Sequence, residues 1–407
     1  MNKVIIIGGG ASGLIAAYSA SMQDYEVIIL EKNGECGKKL CICGKGRGNI
    51  TNTAELKDFI EAFGKNGNFL YSAFSQFFNY DLLNFFERNG LSTVEERGGR
   101  VFPITEKASD VKNLLVELNK KNNVKIKYGT KAEEIIVDNN VVTGVKIHEG
   151  IIKCDKVVLA TGGLSYPKTG STGDGYKIAV KLGHTLTELK PSICPILSPE
   201  KWIPEIAGLS LKNVEVSLIN KNTEKSIFTQ FGEMLFTHKG VSGPIILTLS
   251  KSLADQDNIK NFHLSLDLKP AINEDELRER LTNDFKTNVS IKNYFRKILP
   301  SSLASIFYSL CNISGDKKVN NINKEEKNII INKLKKLKIE ISSLSPIDEA
   351  IITKGGINIK EINPKTMESK IVKGLYFSGE IIDIDAKTGG YNLQAAFSTG
   401  YVAGKLQ

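Results

Sequence analysis

The stretch Val4 to Gly13, VIIIGGGASG, constrains this chain more than any other. Four apolar residues, Val4 to Ile7, predict a short buried strand. Gly8, Gly10 and Gly13 then form G-x-G-x-x-G at the turn into a helix expected over Ser12 to Met22. Gly8 permits the tight turn, Gly10 lets the backbone approach a pyrophosphate, and Gly13 lets the helix lie close on the strand. Phosphates placed there meet free N–H groups and the positive end of the helix dipole. A second strand, Val27 to Leu30, ends at Glu31, from which a carboxylate can take ribose hydroxyls. Strand, glycines, helix, strand and acid in this order predict an α/β, Rossmann-like dinucleotide-binding domain rather than a glycine-rich structural turn.

A chain of 407 residues has the length for two or three domains. The sequence runs straight into the first strand, so no leader is expected, and no apolar run approaches the ~18 residues of a membrane helix. Six unevenly spread cysteines without a secretory signal point to reduced thiols and a cytoplasmic setting. The net charge is +9, with much of the excess in segments such as Lys317 to Lys338. A solvated helical face accounts for this; affinity for nucleic acid or anionic surfaces is the alternative.

The loop Asn33 to Asn52 is too rich in glycine and polar residues for a regular element, and it carries Lys38, Lys39, Lys45, Arg47, Asn49 and Thr51. Leaving the second strand, it passes over the cofactor, where these donors can reach phosphate, ribityl or ring. Cys36 and Cys41 have the C-x-x-x-x-C spacing of a redox dithiol, but Cys36 lies only five residues after Glu31, and small loop residues are the alternative. No histidine or second cysteine pair stands by to make Cys36, Cys41 and Cys43 a metal site, so no metal is expected.

Phe69 to Glu87 has apolar residues at helical spacing and is stopped by Gly90; its aromatic stripe predicts core packing. Ser109 to Lys121 reads as a second amphipathic helix. Period-two runs at Val124 to Tyr128, Ala132 to Val137, Val141 to His148 and Ile151 to Cys154 predict an antiparallel meander. Lys156 to Gly163, KVVLATGG, then returns to the parallel sheet with Ala160, Thr161 and Gly162. Near the far end, Gly374 to Asp383 delivers Gly379 and Glu380, and Gly389-Gly390-Tyr391-Asn392 opens an apolar helix, Leu393 to Gly404. A meander inserted before the ATGG return is the plan of two-dinucleotide-type flavoproteins, which favours FAD over NAD at the fingerprint. The C-terminal helix aims its positive end at the ligand, which suits the charge that develops on a reduced flavin.

The segments GKGRGNITN, ATGGLSYPKTGSTGDGYKIAVKLGH, GEMLFTHKGVSGP, TKGGI and TMESKIVKGLYFSGEIIDIDAKTGGYNLQAAFSTGYVAG resemble those of the BaiN/RdsA-type, aminoacetone-oxidase-like FAD/NAD(P)-dependent oxidoreductases. The likeness runs the length of the chain. It implies a Rossmann-like FAD domain made from both chain ends (1–190 and 350–407), a β-rich, barrel-like insertion (191–270 with 340–349) and a helical insertion (271–339). Where the family loop reads G-R-C-N, this chain has Gly46-Arg47-Gly48-Asn49, so no role of that cysteine carries over. Thr172 to Gly175 is similar to a segment of the more distant fumarate reductase flavoproteins.

Patterning and resemblance together place the cofactor on Gly8, Gly10, Ala11, Ser12, Gly13, Glu31, Lys32, Lys39, Gly46, Arg47, Asn49, Thr51, Ala132, Ala160, Thr161, Gly162, Gly379, Glu380, Asp383, Gly390, Asn392 and Leu393. For catalysis, His238 lies in the Gly-rich FTHKGVSGP turn, with a structural turn histidine as the alternative. Tyr391 flanks a glycine motif, as do Tyr166 and Lys168, and each can contact substrate or orient the cofactor by packing. There is no Ser-His-Asp order, H-E-x-x-H, Walker A or second G-x-G-x-x-G. A nicotinamide donor, NADH or NADPH, would therefore bind transiently. The expected activity is hydride transfer between flavin N5 and a small organic substrate or NAD(P)H, with no membrane partner and no nucleic acid; the oligomeric state stays open. The rivals are a flavoprotein acting on nucleic acid, as in tRNA modification, and a non-catalytic FAD-binding or electron-carrier protein.

Overall fold

The apolar run at the fingerprint forms strand β1 (Asn2–Ile7), with Val4, Ile5 and Ile6 fully buried. The computed structural model describes residues 2–407. After β1 come helix α1 (Ala11–Ser21) and strand β2 (Tyr25–Glu31). Helix α2 (Ala108–Lys121) and strand β3 (Lys125–Tyr128) follow a long excursion, and strand β4 (Lys156–Leu159) follows a second. Strand β5 (Leu375–Phe377) and helix α3 (Tyr391–Gly404) come from the C-terminal part of the chain. Among the described residues these strands make one five-stranded sheet in the order β5-β4-β1-β2-β3, every pair parallel. Strands buried on both faces read as continuous apolar runs, which is why VIII, VIIL and KVVL were legible.

Helix α3 lies directly on α1. A Cβ at Gly400 would sit 2.4 Å from the Ser12 carbonyl oxygen, and one at Gly404 would sit 2.2 Å from that of Ala16. Only glycine lets the two backbones come this near. The Ser19 hydroxyl adds a 2.8 Å bond to the Tyr401 carbonyl.

Three local expectations are corrected. Val124 to Tyr128 does not join the antiparallel meander; β3 pairs parallel with β2, and its alternating K-I-K-Y pattern reflects an edge strand with its lysines exposed. The meander proper has three strands, Ala132–Asp138, Val141–Ile147 and Gly150–Lys153. Phe69 to Glu87 is not one helix, because the chain straightens at Phe77 and Phe78 between helices Tyr71–Gln76 and Asn79–Arg88. Phe77 stacks on Tyr401 at 4.2 Å there, its carbonyl takes the Ser398 hydroxyl, and Asp81 restarts the helix by accepting the Phe78 N–H. The loop Asn33 to Asn52 contains a one-turn helix, Lys38–Ile42, begun by Gly37 in a left-handed conformation. The aromatic stripe is core: Phe74, Phe77 and Phe86 are buried.

The contacts divide the chain into two units, one formed by residues up to Ser192 together with Ile347–Gln407, the other by Ile193–Pro346. In the second unit, a seven-stranded antiparallel sheet runs in order Leu337–Glu340, Phe262–Asp267, Ser210–Asn220, Ser226–Thr237, Gly240–Ser242, Ile196–Leu197, Ser343–Leu344. Its two outermost strands are consecutive in sequence, with Ile341 and Ser342 between them. One short segment thus supplies both edges, so the sheet must curl enough to bring them within the reach of two linking residues. Helices Glu274–Asp284, Ile291–Ile298, Ser301–Leu310 and Lys324–Lys335 share a single core with this sheet, through residues such as Leu281, Phe295, Phe307, Leu264 and Val216.

Candidate functional site

The site grows from the turn between β1 and α1. Gly8 has φ +105, and a Cβ there would meet the Ala160 carbonyl oxygen at 2.6 Å; a Cβ on Gly13 would meet the Gly8 carbonyl oxygen at 1.9 Å. These two glycines hold β1, α1 and the end of β4 together. Gly10 differs, for a Cβ there has nothing within 4 Å and faces open space. It stands at the N-cap of α1 and makes no side-chain cap bond, which leaves the first-turn N–H groups turned toward that space.

Glu31 is buried behind the turn. Its carboxylate accepts from Gly9 N–H at 2.8 Å, Asn33 N–H at 2.8 Å and Asn33 Nδ2 at 2.7 Å. Lys32 reaches Asp174 at 2.7 Å, and Lys131 reaches the same carboxylate at 3.0 Å. Burial alone would raise Asp174, but hydrogen bonds from Lys32, Thr172 and Lys131 hold it well below the usual carboxylate range. Ala132 is buried at the start of its strand, beside Thr130, whose N–H donates to the Glu31 carbonyl.

A second cluster joins four segments distant in sequence. Lys39 Nζ lies 2.5 Å from both Glu380 Oε2 and Ser165 Oγ, Ser165 Oγ donates to Glu380 Oε1 at 2.8 Å, and Thr353 N–H donates to the same oxygen at 2.8 Å. The Thr353 hydroxyl accepts from Leu164 and Ser165 N–H. Gly379, with φ +75, sits against Ser12, whose Oγ would be 2.5 Å from a Cβ there. Tyr166 takes a left-handed φ of 53 beside this cluster, with Lys39 Nζ 6.0 Å from its ring centre. Ala160 is buried, the Thr161 hydroxyl is buried without a partner, and Gly162 has φ +73.

The third side is the start of α3. A Cβ at Gly390 would sit 2.1 Å from the Thr51 carbonyl oxygen. The Asn49 amide, oriented to satisfy both its ends, accepts from Gly390 N–H at 3.1 Å and donates to the Thr51 carbonyl at 3.0 Å. Thr51 Oγ1 donates to Gln394 at 2.6 Å. Asn392 closes the preceding loop by accepting Ala386 N–H at 2.8 Å, and Leu393 lies next to it in the first turn.

Several of the expected residues have other surroundings. Arg47, after Gly46, pairs with Glu96 and Glu106 and lies 4.3 Å from the Phe102 ring, so its charge faces carboxylates. Tyr391 is buried edge-on to Phe59 at 4.7 Å, and Lys168 is exposed. His238 belongs to the other unit, on the exposed turn before Gly240–Ser242. Cys36 is pushed up to about 12, first by burial and then by Glu31; Cys43 is pushed up to about 11 by burial, and Cys41 is also raised. Thiols held protonated are poor nucleophiles. Among the described residues no group of three or more acidic, histidine or cysteine side chains could hold a metal, and no helix is long and apolar enough to cross a membrane. Ser165, Thr353 and Asp174 were not singled out from sequence, although each lies in a glycine-bearing segment that was.

Open space at an uncapped helix start, an anchored acid at the end of β2, and the orphan hydroxyls of Thr161 and Ser378 fit a dinucleotide with polar groups along its length. Residues 2–406 match the family model described as HI0933-like protein Rossmann domain. The chain belongs to the HI0933-like family. This is a Rossmann flavoprotein family of the BaiN/RdsA type, and the HI0933-like chain is an FAD-dependent oxidoreductase. It is 30% identical over 410 residues to a 3-dehydro-bile acid delta(4,6)-reductase of Clostridium scindens, covering 100% of this chain and 98% of that one. It is 27% identical to a ribosomal RNA dihydrouridine synthase of Escherichia coli, covering 98% and 96%. The 3-ketosteroid delta1-dehydrogenase of Sterolibacterium denitrificans shares the fold, with TM-score 0.54, 12% identity and coverage of 100% and 99%.

Proposed function

We propose that this HI0933-like protein adds hydrogen across a ring carbon–carbon double bond conjugated to a carbonyl, with NADH or NADPH as a transient donor. The observation that carries this reading is the convergence of three separated parts of the chain on one site: the fingerprint turn with Glu31, the Lys39–Ser165–Glu380–Thr353 cluster, and the start of α3. The relatives narrow the substrate, since a bile acid delta(4,6)-reductase and a dihydrouridine synthase are both named for removing a ring double bond. In a 3-oxo steroid dienone and in uracil that bond is conjugated to a carbonyl, which makes its β-carbon a hydride acceptor.

When bound, FAD would supply hydride chemistry at N5. The residues of the chain would hold and orient it. Gly8 to Gly13 and the start of α1 would receive the pyrophosphate, Glu31 the adenosine ribose, and Lys39 with Glu380 the ribityl chain. The start of α3 would direct its partial positive charge at the ring.

The test is the visible spectrum of the FAD-loaded protein under anaerobic titration with NADH and NADPH, followed by a 3-oxo-Δ4 steroid. Bleaching by a nicotinamide and recovery by the enone are expected. Bleaching without recovery by any conjugated enone or uridine would sink the reading.

A ring within ribosomal RNA is the second substrate class, and it reopens the expectation against nucleic acid. The Escherichia coli relative and the net charge of +9 favour it. Recovery of the bleached flavin by ribosomal RNA, with binding that weakens steeply between 50 and 200 mM salt, would select it over the steroid.

A further inference from the structure

Three acids stand among the residues expected at the cofactor, and they are held in different ways. Asp383 is fixed through its backbone, the carbonyl accepting from Asn66 Nδ2 at 2.7 Å. Glu380 meets the Lys39 ammonium. Glu31 is held by amide donors, and these are shared unequally between its two oxygens. Oε1 accepts from the Asn33 N–H at 2.8 Å and from Asn33 Nδ2 at 2.7 Å, whereas Oε2 accepts from the Gly9 N–H at 2.8 Å. An ionised carboxylate has about four lone-pair sites, two on each oxygen. Asn33 therefore fills Oε1, and among the described residues Oε2, the oxygen at the fingerprint turn, keeps one site open.

Asn33 is itself clamped. Its Nδ2 also donates to the Thr169 carbonyl at 3.2 Å across 136 residues, a Cβ on Gly170 would be 2.6 Å from that nitrogen, and the Asn33 carbonyl accepts from the Gly129 N–H at 3.0 Å. With a carboxylate oxygen and a carbonyl oxygen as neighbours, the amide must turn its nitrogen toward them. Thr169 in turn bonds the Tyr166 carbonyl through both its N–H and its hydroxyl, next to Ser165, which donates to Glu380. A turn asparagine would need only the local bond to Glu31. The bond to Thr169 ties Glu31 to the loop whose other end reaches Glu380.

We propose that Asn33 is the positioning residue of the ribose site: by filling Oε1 it limits Glu31 to one ribose hydroxyl, taken at Oε2. The assignment rests on the reading of Glu31 as the acid that receives the adenosine ribose. A carboxylate with a site open on each oxygen can clasp both hydroxyls of a ribose, and one with a single open site tells the two apart. Because Asn33 already fixes the carboxylate, little freedom is lost when the hydroxyl arrives.

The experiment measures binding to the full-length protein stripped of flavin, by quenching of flavin fluorescence. The probes are FAD and its two analogues that lack either the 2′ or the 3′ hydroxyl of the adenosine ribose. Wild type should bind one analogue on the order of 10- to 100-fold more weakly than FAD, the scale of a lost hydrogen bond to a charged group, and the other within about threefold. In Asn33→Ala the sites on Oε1 are released, so the second hydroxyl gains a partner and the two analogues should come within about threefold of each other. A residue that merely supports the fold would weaken all three ligands alike, and an unchanged ratio in Asn33→Ala would overturn the assignment. Wild type that loses both analogues alike would show Glu31 taking both hydroxyls, and wild type that loses neither would show it taking none. Either result overturns the proposal even if Asn33→Ala fails to fold. Discrimination that persists in a protein whose flavin no enone or uridine reoxidises would remove the double-bond reading and keep this one. A chain that binds none of the three flavins would remove the placement of the cofactor, and both readings with it.

Discussion

Two glycines of one motif make opposite predictions. Gly13→Ala places a methyl 1.9 Å from the Gly8 carbonyl oxygen, so the protein without cofactor should lose about 1–3 kcal/mol in a denaturant melt. Gly10→Val projects into open space at an unstrained φ of −79, so the melt should barely move while FAD is no longer retained in gel filtration. A Gly10→Val protein with full flavin occupancy would show the fingerprint to be misread. Cys36→Ser with Cys41→Ser should leave the rate of flavin bleaching by NADPH within about twofold. Both thiols are held protonated by burial, so a large loss would revive the dithiol. Residues of the fingerprint were legible because a cofactor needs glycine and acid at set spacing. Ser165 and Thr353 were not, since Ser165 donates to Glu380 across 215 residues and the Thr353 hydroxyl accepts from Leu164 and Ser165 across 189 and 188.

At the scale of elements, buried strands showed themselves as apolar runs, and short-range pattern then failed where tertiary pairing decides. Nothing in K-I-K-Y says whether an edge strand joins a parallel sheet or a meander; the unpaired edge of β2 decides it. The break at Phe77 is likewise set by Tyr401 and Ser398, far along the chain. One clip between elements carries a pH dependence. His184 Nε2 lies 2.9 Å from the Ser369 hydroxyl and Nδ1 lies 3.1 Å from Glu361. Burial lowers His184 below its usual value, with Glu361 opposing, so the unfolded chain binds the proton more readily and stability falls as pH drops below ~6.5. Burial alone would raise Glu361, but bonds from Thr185 and His184 lower it, so its contribution is present above ~4.3 and is lost as pH falls through the folded value. His184→Gln should flatten the loss of melting temperature between pH 6.5 and pH 5, and an unchanged slope would assign it to other groups.

At the scale of the molecule, the two units have separate cores, and every residue of the three-sided site belongs to the unit built from both chain ends. Added FAD should therefore raise protection in hydrogen exchange across β1, α1, β4 and α3 far more than across Ile193–Pro346, by about 2.7 kcal/mol at a hundred times its Kd. Equal protection of both units would contradict a site confined to one. That same architecture sets a clock on biosynthesis. Ser19 on α1 bonds Tyr401 on α3 across 382 residues, so at ~5–20 residues per second the first helix waits on the order of 20–75 s for its partner. Until then the face of α1 that meets α3 at Gly400 and Gly404 is left uncovered, although α2 can already pack on another side of it. Flavin loading is accordingly a late event, open only once α3 has emerged.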